Sequence, residues 1–228
     1  RMISQAKINV KKVAISVSGS AVIVRYVKFP KLTAEELAKT INFESEPYIP
    51  FSINDFYLGF HILRPIEEEG QQKIETILVA AKKEVVQYRL EVIKDAGLFP
   101  MVVDVDAFAL ENALELGKRL PPNETVVALN IGATITNLAI IENGISRVVR
   151  DIFIAGNTFT KAIQRVMGSD FVTAEEMKKM YGVLLTAEEK EVAQAHNERD
   201  KIQVSTTLLP VCRDLAQEVQ RSLDYYQA

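Results

Sequence analysis

The sequence feature that most constrains the fold is a nearly continuous apolar run, "ETVVALNI", at residues 124–131. A turn containing Gly132 and Thr134 follows, and a second apolar run then ends in an Asn-Gly pair at Asn143. Continuous apolar runs are typical of strands covered on both faces, and Asn-Gly is typical of a tight hairpin turn. We therefore predict two neighbouring strands here, the first of them buried on both faces.

Strands and helices are mixed along the rest of the chain, so the predicted fold class is α/β or α+β. Segments rich in Val and Ile predict two strands joined around Gly19, a short buried strand at 99–106, and further strands at 55–63, 73–81 and 145–154. Apolar residues at helical spacing predict helices at 33–46, 83–97, 107–118, 156–168 and 173–182 and in the last segment. The charged stretches at 65–72 and 186–204 predict an exposed loop and a loop with some helix.

Local chemistry predicts where two of the helices begin. Thr33 with Glu36, and Thr173 with Glu176, each have the spacing of a capping box, in which the two side chains satisfy backbone N–H groups of the first turn. The prolines at 121–122 mark the best interior boundary, because two consecutive prolines cannot continue a helix.

Composition and charge argue against several classes of function. The 27 basic and 30 acidic residues give a net charge of −3, without the basic excess of a nucleic-acid surface. A single cysteine, Cys212, cannot form an internal disulfide, and two distant His residues do not have zinc-site spacing. No apolar run approaches the roughly 20 residues that a membrane helix needs. We expect no nucleic-acid partner and no direct membrane insertion.

The turn after the first apolar run has the composition of a phosphate-binding loop. Gly132 permits close approach of a ligand to the backbone, and Thr134 and Thr136 carry hydroxyl donors. A carboxylate at the preceding strand end would hold Mg²⁺ through water, but Asn130 stands there and has a carbonyl oxygen without a charge. An ordinary core hairpin is the alternative interpretation.

Four segments occur in a recognisable order: "VVDVDAFALENA", "LNIGATITNLAIIENG", "SRVVRDIFIAGNTFTKAI" and "TAEEMKKMYG". Together with "VAISVSGSAVIVR", "FESEPYIPF" and "ILVAAKKEVV", they resemble the actin-like ATPase superfamily, and within it the PilM family of type IV pilus assembly, with FtsA more distant. The resemblance covers nearly the whole chain. It implies an actin-like (ribonuclease H-like) α/β fold with an extra α/β subdomain. The family's first phosphate loop and its adenosine loop are not found, so we expect an internal fragment, truncated at both ends.

The resemblance also implies a division into domains. Residues 1–19 and 99–121 would form part of the first actin-like domain, residues 20–98 the inserted partner-binding subdomain, and residues 122–228 an incomplete second domain.

Candidate nucleotide-binding residues are carried over by the same resemblance. Gly132, Ala133, Thr134 and Thr136 would face the phosphates, and Asn130 would contact magnesium through water. Three further groups would complete the site: Gly156 and Asn157 at a helix start, Glu175 and Lys178 at the ribose and base, and Asp106 as a catalytic residue near the γ-phosphate. Each group also has an alternative role without a ligand. Gly156 and Asn157 would form an ordinary strand-to-helix turn, Glu175 and Lys178 an exposed helix face, and Asp106 an N-cap.

The implied function is that of a cytoplasmic adaptor, held at the inner membrane by partners. It would bind ATP with Mg, have at most weak ATPase activity, and bind the cytoplasmic N-terminal tail of PilN, with other platform proteins and the assembly ATPase as further partners. Tyr48 and Phe51 in "PYIPF" are the candidate groove residues, since aromatic anchors are frequent in binding sites. The alternatives are an FtsA-like filament protein, an actin-fold kinase, and a scaffold without nucleotide binding.

Overall fold

The structure, a computed structural model, describes residues 2–227. The chain divides into two compact units, the first ending at Leu116 and the second beginning at Gly117. Each unit contains helices and β-sheet, and both parallel and antiparallel strand pairs occur. The predicted mixed α/β class is therefore confirmed. Within the described residues, no helix combines the length and the hydropathy needed to cross a membrane.

The first unit contains a three-stranded antiparallel sheet and a two-stranded parallel sheet. Its strands are β1 (Lys12–Val17), β2 (Val22–Pro30), β3 (Phe56–Glu68), β4 (Gln71–Lys82) and β5 (Phe99–Val105). Its helices are α1 (Met2–Gln5), α2 (Ala34–Glu44), α3 (Lys83–Asp95) and α4 (Asp106–Leu116). The antiparallel order is β2-β4-β3, and β1 pairs with β5. The two strands predicted around Gly19 thus belong to different sheets.

Helix α2 and the antiparallel sheet share the main core of the first unit. The predicted capping box at the start of α2 is confirmed, since the Thr33 hydroxyl accepts from the Glu36 N–H and the Glu36 carboxylate accepts from the Thr33 N–H. Leu37 of α2 is fully buried beside Phe29 of β2 and Leu78 of β4. Fully burying one such side chain contributes about 1.5–3 kcal/mol.

The exposed loop predicted at 65–72 is wrong. Strand β3 continues to Glu68 and β4 begins at Gln71, so only a tight turn at Glu69 and Gly70 separates them. Pro65 is tolerated in β3 because β3 is an edge strand, where a residue without an N–H need not break the ladder.

The strand predicted at 99–106 exists as β5, but its burial was predicted incorrectly. Phe99, Met101 and Val102 are all exposed, and only Val105 at the end of the strand is buried. Its sheet has two strands within the described residues, so little of the apolar surface of β5 is covered there.

The described residues of the second unit, 117–227, form one antiparallel sheet and four helices. The strands, in the order β6-β7-β8, are β6 (Thr125–Ile131), β7 (Thr136–Glu142) and β8 (Ile145–Ile152). The helices are α5 (Gly156–Met167), α6 (Phe171–Tyr181), α7 (Ala187–Ala195) and α8 (Arg199–Gln227). Leu215, Val219 and Leu223 of α8 pack on Leu138 and Ile140 of β7.

The prediction that the strand at residues 124–131 is buried on both faces is wrong. The neighbouring strand, β7, is the one that is buried on both faces. Within the described sheet β6 is an edge strand, and its Val127, Leu129 and Ile131 are exposed. Strand β7 is central, and every residue from Thr136 to Ile141 is buried. Two adjoining apolar runs look alike in the sequence, and the pairing decides which is central.

Two predictions about helices in the second unit need correction. Helix α6 begins at Phe171 and is capped by Asp170, whose carboxylate accepts from the Thr173 N–H, so the predicted Thr173–Glu176 capping box does not form. The stretch 186–204 is mostly helical: Thr186 and Glu189 form a capping box that starts α7, and α8 runs for 29 residues.

Candidate functional site

The turn between β6 and β7, residues 132–135, is the centre of the candidate site. The Gly132 N–H donates to the carbonyl oxygen of Ile135 at 3.0 Å and closes the turn. A Cβ at Gly132 would lie 2.7 Å from that same oxygen, so the position requires glycine. Within residues 2–227, the N–H groups of Ala133 and Thr134 and the Thr134 hydroxyl have no hydrogen-bond partner. The turn therefore presents free donors at the surface, as an anion site requires.

The start of helix α5 is hydrogen-bonded to this turn. The Gly156 N–H donates to the Gly132 oxygen at 3.0 Å, and the Asn157 N–H donates to the Ala133 oxygen at 2.7 Å. A Cβ at Gly156 would lie 3.2 Å from the Gly132 oxygen, so the missing side chain permits this close approach. These two N–H groups hold the turn in place and are not free for an anion. Any contact of Asn157 with a ligand would fall to its side chain.

Thr136 differs from Thr134 in exposure. Its side chain is fully buried, and its hydroxyl donates to the carbonyl oxygen of Ile154 at 2.7 Å. The predicted phosphate-facing set is therefore divided: Thr134 is exposed with a free hydroxyl, whereas Thr136 joins the hairpin to the segment that leads into α5.

Glu175 and Lys178 of α6 lie against the first turn of α5 and bind each other. The Lys178 ammonium donates to Glu175 Oε2 at 2.6 Å, to the Thr160 hydroxyl at 3.0 Å and to the Gly156 oxygen at 3.2 Å. The Thr160 hydroxyl donates to the same carboxylate at 2.5 Å. Donation from Lys178, and next from Thr160, lowers the pKa of Glu175 from 4.5 to about 2. Thr160, which the sequence did not suggest, is part of this network.

Lys178 places a positive charge beside the turn. Its Nζ would lie 3.6 Å from a Cβ at Gly156, and the Ala133 Cα would lie 3.7 Å from the same point. The predicted residues Gly132, Ala133, Gly156, Glu175 and Lys178 thus converge in one region of the second unit. Their contacts with a nucleotide stay predictions.

Asn130 ends a row of polar side chains that crosses the sheet. Its Nδ2 donates to Asn137 Oδ1 of β7 at 3.1 Å, and Asn137 Nδ2 donates to Asp151 Oδ1 of β8 at 2.7 Å. Sequence reasoning missed Asn137 and Asp151, although pairing the two predicted strands would have placed Asn137 opposite Asn130. In the described part of the chain, no group of three or more His, Cys, Asp or Glu side chains could hold a metal ion.

Asp106, the candidate catalytic residue, belongs to the first unit. It is the first residue of α4 and not, as the ordinary alternative assumed, the cap that precedes the helix. Its Oδ2 accepts from the Ser18 hydroxyl at 2.5 Å. A carboxylate in the first turn of a helix is favourable because the N–H groups there carry partial positive charge.

The segment "PYIPF" presents two exposed aromatic rings, each supported by a buried ring. Tyr48 is 36% exposed and meets Phe29 edge-on, with ring centroids 5.9 Å apart. Phe51 is 58% exposed and stacks on Phe56 at 6.0 Å. Phe29 and Phe56 belong to the core, so the exposed rings are held by packing. Phe43 at the end of α2 is 75% exposed and was not predicted; its position off the apolar stripe of the helix is the signal that could have found it.

Comparisons with known proteins give the family. The sequence model described as "Type IV pilus assembly protein PilM" matches residues 1–228. Among solved structures, the PilM–PilN type IV pilus biogenesis complex matches with a TM-score of 0.81 at 30% identity, covering 99% of this chain and 61% of that chain. MreB5 of Spiroplasma citri bound to AMPPNP matches 62% of this chain and 47% of its own, at 20% identity and a TM-score of 0.46. The cytoplasmic domain of EpsL from the type II secretion system of Vibrio cholerae matches 75% of this chain and 59% of its own, at 16% identity and a TM-score of 0.44.

The family model and the solved PilM–PilN structure both match essentially the whole of this chain. The chain spans 61% of the length of the solved chain that it matches. The chain belongs to the PilM family of type IV pilus assembly proteins and has their actin-like fold.

Proposed function

We propose that this chain acts as an actin-like adaptor of the type IV pilus machine, binding ATP on its second unit and the cytoplasmic N-terminal tail of PilN on its first. The family and the matched PilM–PilN complex support this proposal. In this proposal the protein is cytoplasmic and is held at the inner membrane through PilN and other platform proteins, including the assembly ATPase.

One observation supports ATP binding above the others. Among the described residues 2–227, two backbone N–H groups and one hydroxyl of the turn 132–135 have no partner, and the Lys178 ammonium lies beside this turn. Unpaired backbone donors beside a lysine, here paired with Glu175, are groups that can bind the acceptor oxygens of a phosphate chain. The donor set therefore fits the phosphates of a nucleotide, with Glu175 and Lys178 as the candidates for the ribose and base.

Magnesium has one candidate residue in this set, Asn130. Its Nδ2 is occupied by Asn137, and its Oδ1 accepts no hydrogen bond within residues 2–227, so an acceptor oxygen is left for a water of the metal's shell. When bound, Mg²⁺ would neutralise part of the negative charge of the phosphates. A neutral amide attracts it less than a carboxylate does, which fits an adaptor with at most weak ATPase activity.

Calorimetric titration of Mg-ATP tests nucleotide binding, with Thr134→Val as the variant. Losing the free hydroxyl should weaken binding about 2–10-fold, since a hydrogen bond contributes about 0.5–1.5 kcal/mol. Thr206→Val on α8, whose hydroxyl donates within its own helix, is the matched control. Equal affinities for the two variants would remove Thr134 from the site, and a wild-type protein that does not bind would remove the proposal.

Supported exposed aromatic rings favour the PilN tail as the ligand of the first unit. Rings that are already ordered lose little conformational freedom on binding, and aromatic anchors dominate many interfaces. Phe51→Ala should weaken binding of a PilN N-terminal peptide at least tenfold, as measured by fluorescence anisotropy. Phe153→Ala removes a similarly exposed ring, 62% exposed, from the second unit and should leave the affinity unchanged. Equal effects of the two substitutions would remove Phe51 from the groove.

A scaffold that binds PilN but no nucleotide is the second candidate. The observation in its favour is that several predicted donors already have partners: the N–H groups of Gly156 and Asn157 and the Thr136 hydroxyl. Peptide binding by a protein that gives no heat with Mg-ATP would establish the scaffold.

A further inference from the structure

We infer that Asp151 is a positioning residue that acts through Asn137 to fix which way the amide of Asn130 points. The inference concerns the end of β6 and, for its ligand, rests on the proposed nucleotide function of that end. Asp151 would not touch the ligand. Its effect is to keep the carbonyl oxygen of Asn130, and not its NH₂ group, available at the site.

The three side chains form one row across the sheet. Strand pairing places Asn130 opposite Asn137 and Asn137 opposite Asp151. The hydrogen bonds run in one direction, from Asn130 Nδ2 to Asn137 Oδ1 at 3.1 Å and from Asn137 Nδ2 to Asp151 Oδ1 at 2.7 Å. Asn137 is only 3% exposed, so water does not offer its amide an alternative partner.

The direction of this row follows from the chemistry of its last member. A carboxylate only accepts hydrogen bonds, whereas an amide has one accepting and one donating side. Asp151 therefore requires the Nδ2 side of Asn137, which leaves the Asn137 Oδ1 facing Asn130. Asn130 must then donate its own Nδ2, because two facing oxygens would leave the Oδ1 of Asn137, a side chain that is only 3% exposed, without a donor.

The orientation of Asn130 selects the kind of group that can bind there. An exposed Oδ1 accepts a hydrogen bond, so it suits a water molecule, a hydroxyl or a hydrated cation. It does not suit a phosphate oxygen, which is itself an acceptor. The row also explains why Asn suits position 130 in this chain. Asp151 already provides one carboxylate for Asn137. A second carboxylate at position 130 would face the Oδ1 side of Asn137, and neither oxygen could donate a hydrogen bond to the other.

A double-mutant cycle of Asn130→Asp and Asp151→Asn, read by urea unfolding, tests the inference without any ligand. Asn130→Asp alone should lower the folding equilibrium constant about tenfold, since the Oδ1 side of Asn137 would then face a second carboxylate and find no donor. In the Asp151→Asn background the same change should cost less than twofold, because the row can then run in the opposite direction. Equal costs in both backgrounds would overturn the inference.

Titrations with ATP give the second readout. Asp151→Asn frees the row to adopt either direction, so affinity for ATP should fall at least threefold in the presence of Mg²⁺ and stay unchanged in EDTA. An equal fall under both conditions would indicate general structural damage and would overturn the positioning role. Asp214→Asn on the exposed side of α8 is the matched control and should change neither readout.

Failure of this inference and failure of the proposed function are distinguishable. If the wild-type protein does not bind ATP, the nucleotide proposal and the ligand assigned to Asn130 both fail, while the unfolding cycle still decides whether Asp151 sets the direction of the row. If the protein binds ATP but the cycle shows no coupling, the nucleotide site stands and the role of Asp151 is refuted.

Discussion

Replacing Gly132 with alanine would place a methyl group 2.7 Å from the carbonyl oxygen of Ile135, closer than real Cβ atoms approach other heavy atoms. The obstructing atom belongs to the backbone, so it cannot rotate away as a side chain would. The same oxygen accepts the Gly132 N–H at 3.0 Å, and the turn must open to accommodate the methyl group. Opening the turn also displaces the Gly132 and Ala133 oxygens, which accept the first two N–H groups of α5.

The magnitude follows from these three hydrogen bonds. Each contributes about 0.5–1.5 kcal/mol, and we expect the closing bond to be lost and the other two to be weakened. Alanine returns about 0.4–1 kcal/mol by restricting the unfolded chain. The net destabilisation should be about 1–2 kcal/mol, a 5–30-fold change in the ratio of folded to unfolded protein. Binding of Mg-ATP should be lost, because opening the turn would displace the N–H groups of Ala133 and Thr134.

Urea unfolding and calorimetry of the same samples measure both effects. The control is Gly59→Ala in β3, where an added Cβ meets no atom within 4 Å. That variant should be as stable as the wild type or slightly more stable. If Gly132→Ala unfolds within about 0.5 kcal/mol of Gly59→Ala and still binds Mg-ATP with wild-type affinity, the turn is not the rigid donor site described above.

Three further predictions test the second unit. Thr186→Ala removes a capping-box hydroxyl and should destabilise by about 1 kcal/mol in urea unfolding, whereas Thr173→Ala should cost clearly less because Asp170 caps that helix; equal costs would contradict the caps. Leu138→Ala leaves a cavity at a fully buried position and should cost about 2–5 kcal/mol by the same measurement; less than 1 kcal/mol would place Leu138 outside the core. The pKa of Glu175 is lowered by folding from 4.5 to about 2, so its contribution to stability is complete above about pH 4.5 and is lost as the pH falls towards 2. Glu175→Gln should flatten the stability curve in that window, and an unchanged curve would contradict the network with Lys178.

Local signals in the sequence predicted the start of α2 correctly and misplaced the start of α6. The string "TAEE" occurs three times, and at Thr33 and Thr186 it forms the capping box that its spacing favours. At Thr173 it does not, because Asp170 lies three residues earlier and caps the N–H of Thr173 itself. Two candidate caps within one turn cannot be ranked from spacing alone, and the packing of α6 decides between them.

Burial was predicted less well than secondary structure because burial depends on which strands become neighbours. Strands β5 and β6 are as apolar as β7, yet Met101 and Ile131 are exposed while Ile140 is fully buried. The apolar pattern of a strand shows which side chains favour burial. The strand order β6-β7-β8 decides which strand has a neighbour on each side and is therefore buried. Thr136 shows the same dependence on strand order. The motif predicted that it faces the phosphates together with Thr134, but Thr136 lies on the central strand β7 and is fully buried.

The row of Asn130, Asn137 and Asp151 shows how one extra residue can decide the chemistry of a site. The turn at Asn143 pairs Glu142 with Ile145, and continuing that register would place Arg150 opposite Asn137. A bulge beyond Ile141 shifts the pairing by one residue, so Asp151 takes that place and Arg150 turns to Glu218 of α8. Arginine only donates and a carboxylate only accepts, so the unshifted register would reverse the direction of the row and present the NH₂ group of Asn130. No local motif encodes the bulge, which is why the sequence identified Asn130 as a site residue but could not identify Asp151, which orients it through Asn137.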